Sequence, residues 1–302
     1  MILQEFKRCW KSKINIIMMV VMLLGLLPAY FSSLASRNVQ LRNIEAAIAV
    51  GGDPSDSVWT YEGMQGALHF WERLFTLHGE FMLFVMIMFT IGAGIFVSGK
   101  LFSELQTGYG MNILTRTSYK RYLKNTIIAQ FLYVVSFLLL FFSLVFISLL
   151  IVEGGPIQIT HLSGIGRHGN MEIWLFLLIH FVFVLHAVLS MAFLILFASL
   201  SCVYLKNKYI IQFLPMSFLV GVYVFAGVFG NLNTRFEILN QGLNIISRLL
   251  VFEYSLGSLV DFFSVTAGGD SVIFAILYPL LLLTISLLLY KLSLKKFGKD
   301  YI

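Results

Sequence analysis

Few residues in this 302-residue chain have types and spacings that could do chemistry: six histidines, two cysteines and one glycine–lysine run. The run Gly94-Ile95-Phe96-Val97-Ser98-Gly99-Lys100-Leu101 comes within one residue of the phosphate-cradling pattern G-x-x-x-x-G-K-[ST]. Leu101 has no hydroxyl to ligate Mg²⁺, and the run finishes an apolar stretch instead of joining a soluble strand to a helix. ATP binding by this chain is therefore not expected. His69 and Glu72 can share a helix face, with His78 and Glu80 nearby, but no H-E-x-x-H zinc pattern occurs. His180 and His186 stand six residues apart in an apolar run. That is about 600° of helical rotation, so the two side chains point roughly 120° apart and do not share a metal. An ionisable residue at membrane depth is a functional candidate. The two readings are a neutral imidazole bonded to a neighbouring helix and a contact on a transport path. Cys9 and Cys202 make no metal-type spacing, and no disulfide is expected. Ser163-Gly164-Ile165-Gly166 reads as a turn with no base in register.

The elements that must position these residues follow from composition. The hydrophobic set makes up 59% of the chain and charged residues only 12%, with a mean hydropathy of +0.88. A soluble domain carries about 25% charged residues, so a water-soluble enzyme, a disordered scaffold and a nucleic-acid binder are excluded. A helix that crosses a bilayer needs about 20 mostly apolar residues. Six stretches qualify: 14–35, 81–98, 126–152, 173–205, 210–230 and 272–292. Their apolar residues run continuously, without the alternation of a barrel strand. The fold class expected is an all-α integral membrane protein with six transmembrane helices in one domain, 1–302.

Flanking charge sets the orientation. With both termini cytoplasmic, 15 of the 21 Lys and Arg fall on the inner side and 12 of the 15 Asp and Glu on the outer. Lys and Arg in short loops favour that orientation. The first run ends in Ser33-Leu34-Ala35, which resembles a cleavage site, but its core is longer than a signal-peptide h-region, so it is read as a retained helix. In segment 1–13, Ile2, Leu3, Phe6, Cys9 and Trp10 recur at helical spacing, with Lys7, Arg8 and Lys11 largely opposite. This is the pattern of a helix lying in the headgroup plane. The outer loop 36–80 has a turn-rich centre and then a helical stretch, 61–78; the outer segment 231–271 suits re-entrant or interfacial pieces. The cores of the six runs hold no Asp, Glu, Lys or Arg, which weighs against a proton- or sodium-coupled carrier.

The longest inner segment, 100–125, mixes apolar and polar residues, with Leu101, Leu105, Tyr109 and Ile113 spaced by four. Gly108 and Gly110 allow a change of direction, and a basic run then leads into the third span. Glu104-x-x-x-Gly108, then Ile113-Leu114, then Thr117-Ser118-Tyr119-Lys120-Arg121-Tyr122-Leu123 resembles the coupling region in permease subunits of the type-2 class of ABC exporters. Arg116 stands about where that family often has proline, and Tyr119 about where an arginine follows the serine.

The resemblance implies a coupling helix around 101–114, seated on a separate cytoplasmic ATP-binding-cassette ATPase. Glu104, Leu105, Gly108, Tyr109, Leu114, Arg116, Ser118, Lys120 and Arg121 would make the coupling region, with Glu104 pairing with a basic group on the ATPase. ATP and Mg²⁺ would sit on that partner, leaving this chain without cofactor, metal or catalytic residue. The other partners would be a second permease copy or a sister permease and the lipids of a bacterial plasma membrane. Aromatic, Met-rich spans favour an amphipathic or hydrophobic export substrate: a peptide, a lipid or a drug. A non-transporting sensor or assembly subunit, and a membrane enzyme using His69, Glu72 or His78, are the competing readings.

Overall fold

The computed structural model describes residues 2–51, 67–72, 74–75, 80–106, 118–154, 173–230 and 271–300. Among them there is no strand. In chain order the helices are α1 (Ile2–Trp10), α2 (Lys13–Ala49), α3 (Ala67–Glu72), α4 (Glu80–Ala93), a π turn (Gly94–Ser98), α5 (Gly99–Gln106), α6 (Tyr119–Glu153), α7 (Ile173–Ser201), α8 (Lys208–Gly230) and α9 (Ser271–Asp300). Five stretches are long and apolar enough to cross a membrane: Lys13–Ala46, Phe81–Gln106, Tyr119–Glu153, Phe181–Ser201 and Ile276–Lys296. The fifth expected span, 210–230, is helical throughout, and its described apolar part, Lys208–Val222, is shorter than those five. This is a helical, membrane-embedded protein. Pro28, Pro215 and Pro279 lie inside helices, as spanning helices tolerate where neighbours meet the freed carbonyls.

Two helices run past the expected limits. The first span was expected to end near residue 35, but α2 continues to Ala49. Gln40, Leu41, Arg42, Glu45 and Ala46 are good helix formers, so backbone hydrogen bonding goes on after hydropathy has fallen. The second span was expected to stop at residue 98 and a separate short helix to follow. The chain instead passes from α4 through the π turn into α5 without a break.

Lipid tails are as apolar as leucine, so helices in a membrane associate by close packing and not by hydrophobic expulsion. α7 is the central element: it packs against α6, α8, α9 and the π turn, and Ala187, Val188, Met191, Ala192, Leu194 and Ile195 on it are fully buried. Aromatic rings fill the space between α3 and α6. Trp71 lies 5.5 Å from Phe146 edge-on, and Phe75 lies 5.3 Å from Phe142. Ile16, Ile17, Leu24, Leu27 and Phe31 on α2 stay exposed. A second, smaller cluster sits where α5, α6, α7 and α8 converge, built from Leu101, Phe102, Tyr119, Tyr122, Leu123, Leu200, Val203 and Ile211.

α1 is short, and its position comes from one face. Phe6, Cys9 and Trp10 turn inward, while Leu3, Lys7 and Lys11 stay exposed. The Trp10 ring lies 5.9 Å from Tyr133, edge-on, and 5.9 Å from Phe137, tilted, both on α6, and its Nε1 donates to Ser136 Oγ at 3.3 Å. Asn15, at the start of α2, closes the corner: its Nδ2 donates to the carbonyl of Cys9 at 2.6 Å, and its Oδ1 accepts from the Tyr133 hydroxyl. The apolar side of this helix, expected to lie in the headgroup plane, is therefore packed largely on protein.

Candidate functional site

The ends of α1, α5 and α6 meet in a charged corner. Glu104, two residues beyond the buried Phe102 on α5, is itself buried at 5% exposure. The Tyr122 hydroxyl donates to its Oε2 at 2.6 Å, and Arg8 Nη1 on α1 lies 2.8 Å from its Oε1. Glu5 continues the network, with one oxygen 3.4 Å from Arg8 and the other 3.5 Å from Lys100. Magnitudes rank these contacts. The Arg8 side chain is 44% exposed, so water screens its attraction to about 0–1 kcal/mol. A buried hydrogen bond to a charged acceptor is worth about 1.5–3 kcal/mol. Tyr122 is the main anchor of Glu104.

Beside this corner the π turn makes its own demands. Gly99 N–H donates to the Gly94 carbonyl five residues back, and such turns interrupt the regular ladder and leave carbonyls in need of donors. Two glutamines from other helices supply them. Gln130 Nε2 on α6 donates to the Val97 carbonyl at 3.3 Å, and Gln212 Nε2 on α8 to the Ile95 carbonyl at 3.4 Å. Ser98 Oγ and Ser199 Oγ share a third bond at 3.2 Å. The glycines that bracket the turn allow α8 to come this close. A Cβ on Gly94 would stand 2.0 Å from the Gln212 carbonyl oxygen, and one on Gly99 would stand 2.7 Å from the Gln212 amide nitrogen. Gly94 and Gly99, which in sequence imitate a phosphate loop, thus serve helix packing.

The residues of the expected coupling region divide three ways. Glu104 and Leu105 lie on α5: Glu104 is turned inward to Arg8 and Tyr122, and Leu105 packs partly on the cluster formed with α6, α7 and α8. The carboxylate expected to pair with a basic group on an ATPase is turned toward Arg8 and Tyr122 of this chain. Ser118, Lys120 and Arg121 are exposed at the start of α6. Gly108, Tyr109, Leu114 and Arg116 lie outside the described residues, as do the re-entrant pieces expected in 231–270 and the serine–glycine turn at 163–166. Of the histidines, His180 and His186 are both on α7, with His186 half-buried. His69 and Glu72 fall on α3, and His78 lies outside the described residues. Among the described residues no three His, Cys, Asp or Glu side chains group as a metal site. Cys9 and Cys202 are both free thiols, each buried.

The same corner collects the basic ends of other helices. Lys296 Nζ on α9 donates to the Val203 carbonyl at 2.8 Å, just past the end of α7, and lies over the Tyr204 ring. A cation there also complements the negative end of the α7 dipole. Tyr119 and Ser293 hydroxyls share a bond at 3.0 Å, which ties α6 to α9. Among the described residues, a polar knot lies at the opposite end. Glu153 of α6 accepts from Tyr30 and pairs with Arg37 of α2 at 3.4 Å, and Arg37 lies 5.0 Å over the Phe70 ring. There α6 stops at Gly154, whose φ of +82° suits a residue without a Cβ.

Arg8, Gln130 and Gln212 carry no signal in the sequence that marks them as a site, and Tyr122 enters only within the stretch that resembles the coupling region. They are single polar residues far apart in the chain, joined only by packing. Comparison with known proteins leaves the geometry as the only guide, since no protein-family model, no curated protein and no solved structure matches this chain.

Proposed function

We propose that this chain is the membrane-spanning permease subunit of a type-2 ABC exporter, with six spans and both termini on the cytoplasmic side of a bacterial plasma membrane. It works with a second permease copy or a sister permease and with two cytoplasmic ATPase subunits that hold ATP and Mg²⁺. What carries the reading is the attachment of segment 107–117. It joins α5 to α6, and Glu104 pins both of those helices to α1. A push on the segment therefore reaches three helices as one rigid unit, as a two-state packing change requires.

In this reading Gly108, Tyr109, Leu114 and Arg116 belong to the docking segment, and exposed Ser118, Lys120 and Arg121 flank it. Glu104 and Leu105 are positioning residues that hold α5 in place. The cargo is amphipathic or hydrophobic, and His180 and His186 are its candidate polar contacts along α7.

The test joins topology to coupling. Lys120→Cys, in a background with Cys9 and Cys202 replaced, should react with a membrane-impermeant maleimide only after the cytoplasmic face is opened. Co-purified ATPase should lose its stimulation with Leu114→Asp while the permease still folds. Labelling of Lys120→Cys from outside intact cells would sink the proposal, as would full stimulation by Leu114→Asp.

A further inference from the structure

Between α1, α5 and α6, next to the π turn, lies a cavity of about 10 Å³ lined by Glu5, Cys9, Lys100, Glu104, Thr126 and Gln130. That volume is about what one water needs. Beside Thr126, whose Oγ1 also lacks a partner but can donate, two lining side chains bring an acceptor-only oxygen that makes no hydrogen bond among the described residues: Oε1 of Glu104, which Arg8 faces as an ion pair at 2.8 Å, and Oε1 of Gln130. Both residues are more than nine-tenths buried, with exposures of 5% and 3%. The Gln130 amide is held in one orientation because its Nε2 already donates to Val97, so the oxygen is the end left over. An unmet buried acceptor such as Gln130 Oε1 costs about 1–3 kcal/mol. Whatever fills the cavity must donate to Gln130, with Glu104 Oε1 as a second acceptor beside it.

Charge chooses among the donors. The corner already holds two carboxylates, Glu5 and Glu104, against two cations, Arg8 and Lys100. A metal ion would add a third positive charge, with Lys100 itself on the cavity wall. At this depth that repulsion is poorly screened. A water is neutral, small enough, and has two hydrogens for the two oxygens, with lone pairs left for a lysine or threonine donor.

We propose that this cavity binds a single water molecule that donates to Glu104 Oε1 and to Gln130 Oε1. The bound water completes a hydrogen-bonded path from Tyr122 through Glu104 and Gln130 to the Val97 carbonyl. The charged corner and the π turn are thereby one unit. The site stands independently of the transport reading, since it needs only the packing of α1, α5 and α6.

X-ray footprinting of the purified full chain in nanodiscs tests it, because radiolysis of a bound water generates hydroxyl radicals that oxidise the side chains around it. Cys9 lines the cavity at 3% exposure, whereas Cys202 is buried at 7% and does not line it. Cys9 should be oxidised several-fold faster than Cys202, with ¹⁸O incorporated from labelled water. Gln130→Met, which removes one acceptor with little change in side-chain volume, should bring Cys9 down to the rate of Cys202. Equal rates for the two cysteines in the unaltered protein would overturn the proposal without recourse to any variant. So would a melting temperature that rises when choline chloride is replaced by NaCl and loses that rise in Gln130→Met, since the occupant would then be a sodium ion.

Discussion

Gly92 and Gly94 are two residues apart, and alanine at each should have opposite consequences. A Cβ on Gly94 would meet the carbonyl oxygen of Gln212 at 2.0 Å, whereas ordinary contact begins at 3.4 Å, so α8 must retreat by about 1.4 Å. A helix backbone cannot make that move alone, and overpacking of this kind costs about 1–3 kcal/mol. The same retreat breaks the bond from Gln212 to Ile95, another 1 kcal/mol or so. At Gly92 the nearest atom is Met18 Sδ at 2.4 Å, the middle of a flexible thioether that can change rotamer. Both variants gain about 1 kcal/mol of helix propensity. Gly94→Ala should therefore lose roughly 1–3 kcal/mol net, while Gly92→Ala stays near neutral or gains slightly. Unfolding of the two variants side by side in detergent, followed by tryptophan fluorescence, reads the difference. If Gly94→Ala is as stable as Gly92→Ala, the close approach of α8 to the π turn is wrong.

Two other outcomes can be checked on the same preparation. Tyr122→Phe should cost about 1.5–3 kcal/mol, because it strips a buried carboxylate of its donor, whereas Arg8→Gln, at a partly exposed position, should cost no more than about 1 kcal/mol; denaturant unfolding of both ranks them. Burial, the largest influence, pushes the Cys9 thiol up to about 11, with Lys100 opposing. The thiol form then favours the folded state below pH 9, and that contribution is lost as pH climbs from about 9 to about 11. Maleimide should accordingly label folded Cys9 slowly near pH 8 and at the rate of a free thiol only once the chain is unfolded in SDS.

Continuous apolar runs announced the helical, membrane-embedded class, because a bilayer leaves a lone chain segment few other ways to satisfy its backbone. Helix ends were harder to see. Hydropathy stops where charge begins, but hydrogen bonding does not, so α2 runs on to Ala49 and α4 into α5. The π turn left only the pair Gly94 and Gly99 as a trace, and that pair mimics a nucleotide loop. Glu104 was visible as a residue of interest, yet its partner was sought outside the chain. Arg8 stands 96 positions earlier and Tyr122 18 positions later, and no local periodicity links them. Gln130 and Gln212 were silent because an uncharged amide in an apolar run reads as a minor blemish until a freed carbonyl is found facing it.

Closing a hydrogen bond five residues ahead takes up one residue more than the α spacing. Everything from Gly99 to Gln106 is therefore out of phase with α4 by one position, about 100° of rotation. A single-residue deletion anywhere in 94–98 would keep the segment apolar and still long enough to cross. Closing as an ordinary α turn, the shortened segment would leave Glu104 beside Arg8 and Tyr122, whereas a one-residue deletion in α5 before Glu104, with the π turn kept, would swing it about 100° away. The extra residue in this short window is thus absorbed by the π turn, a device to which hydropathy is blind.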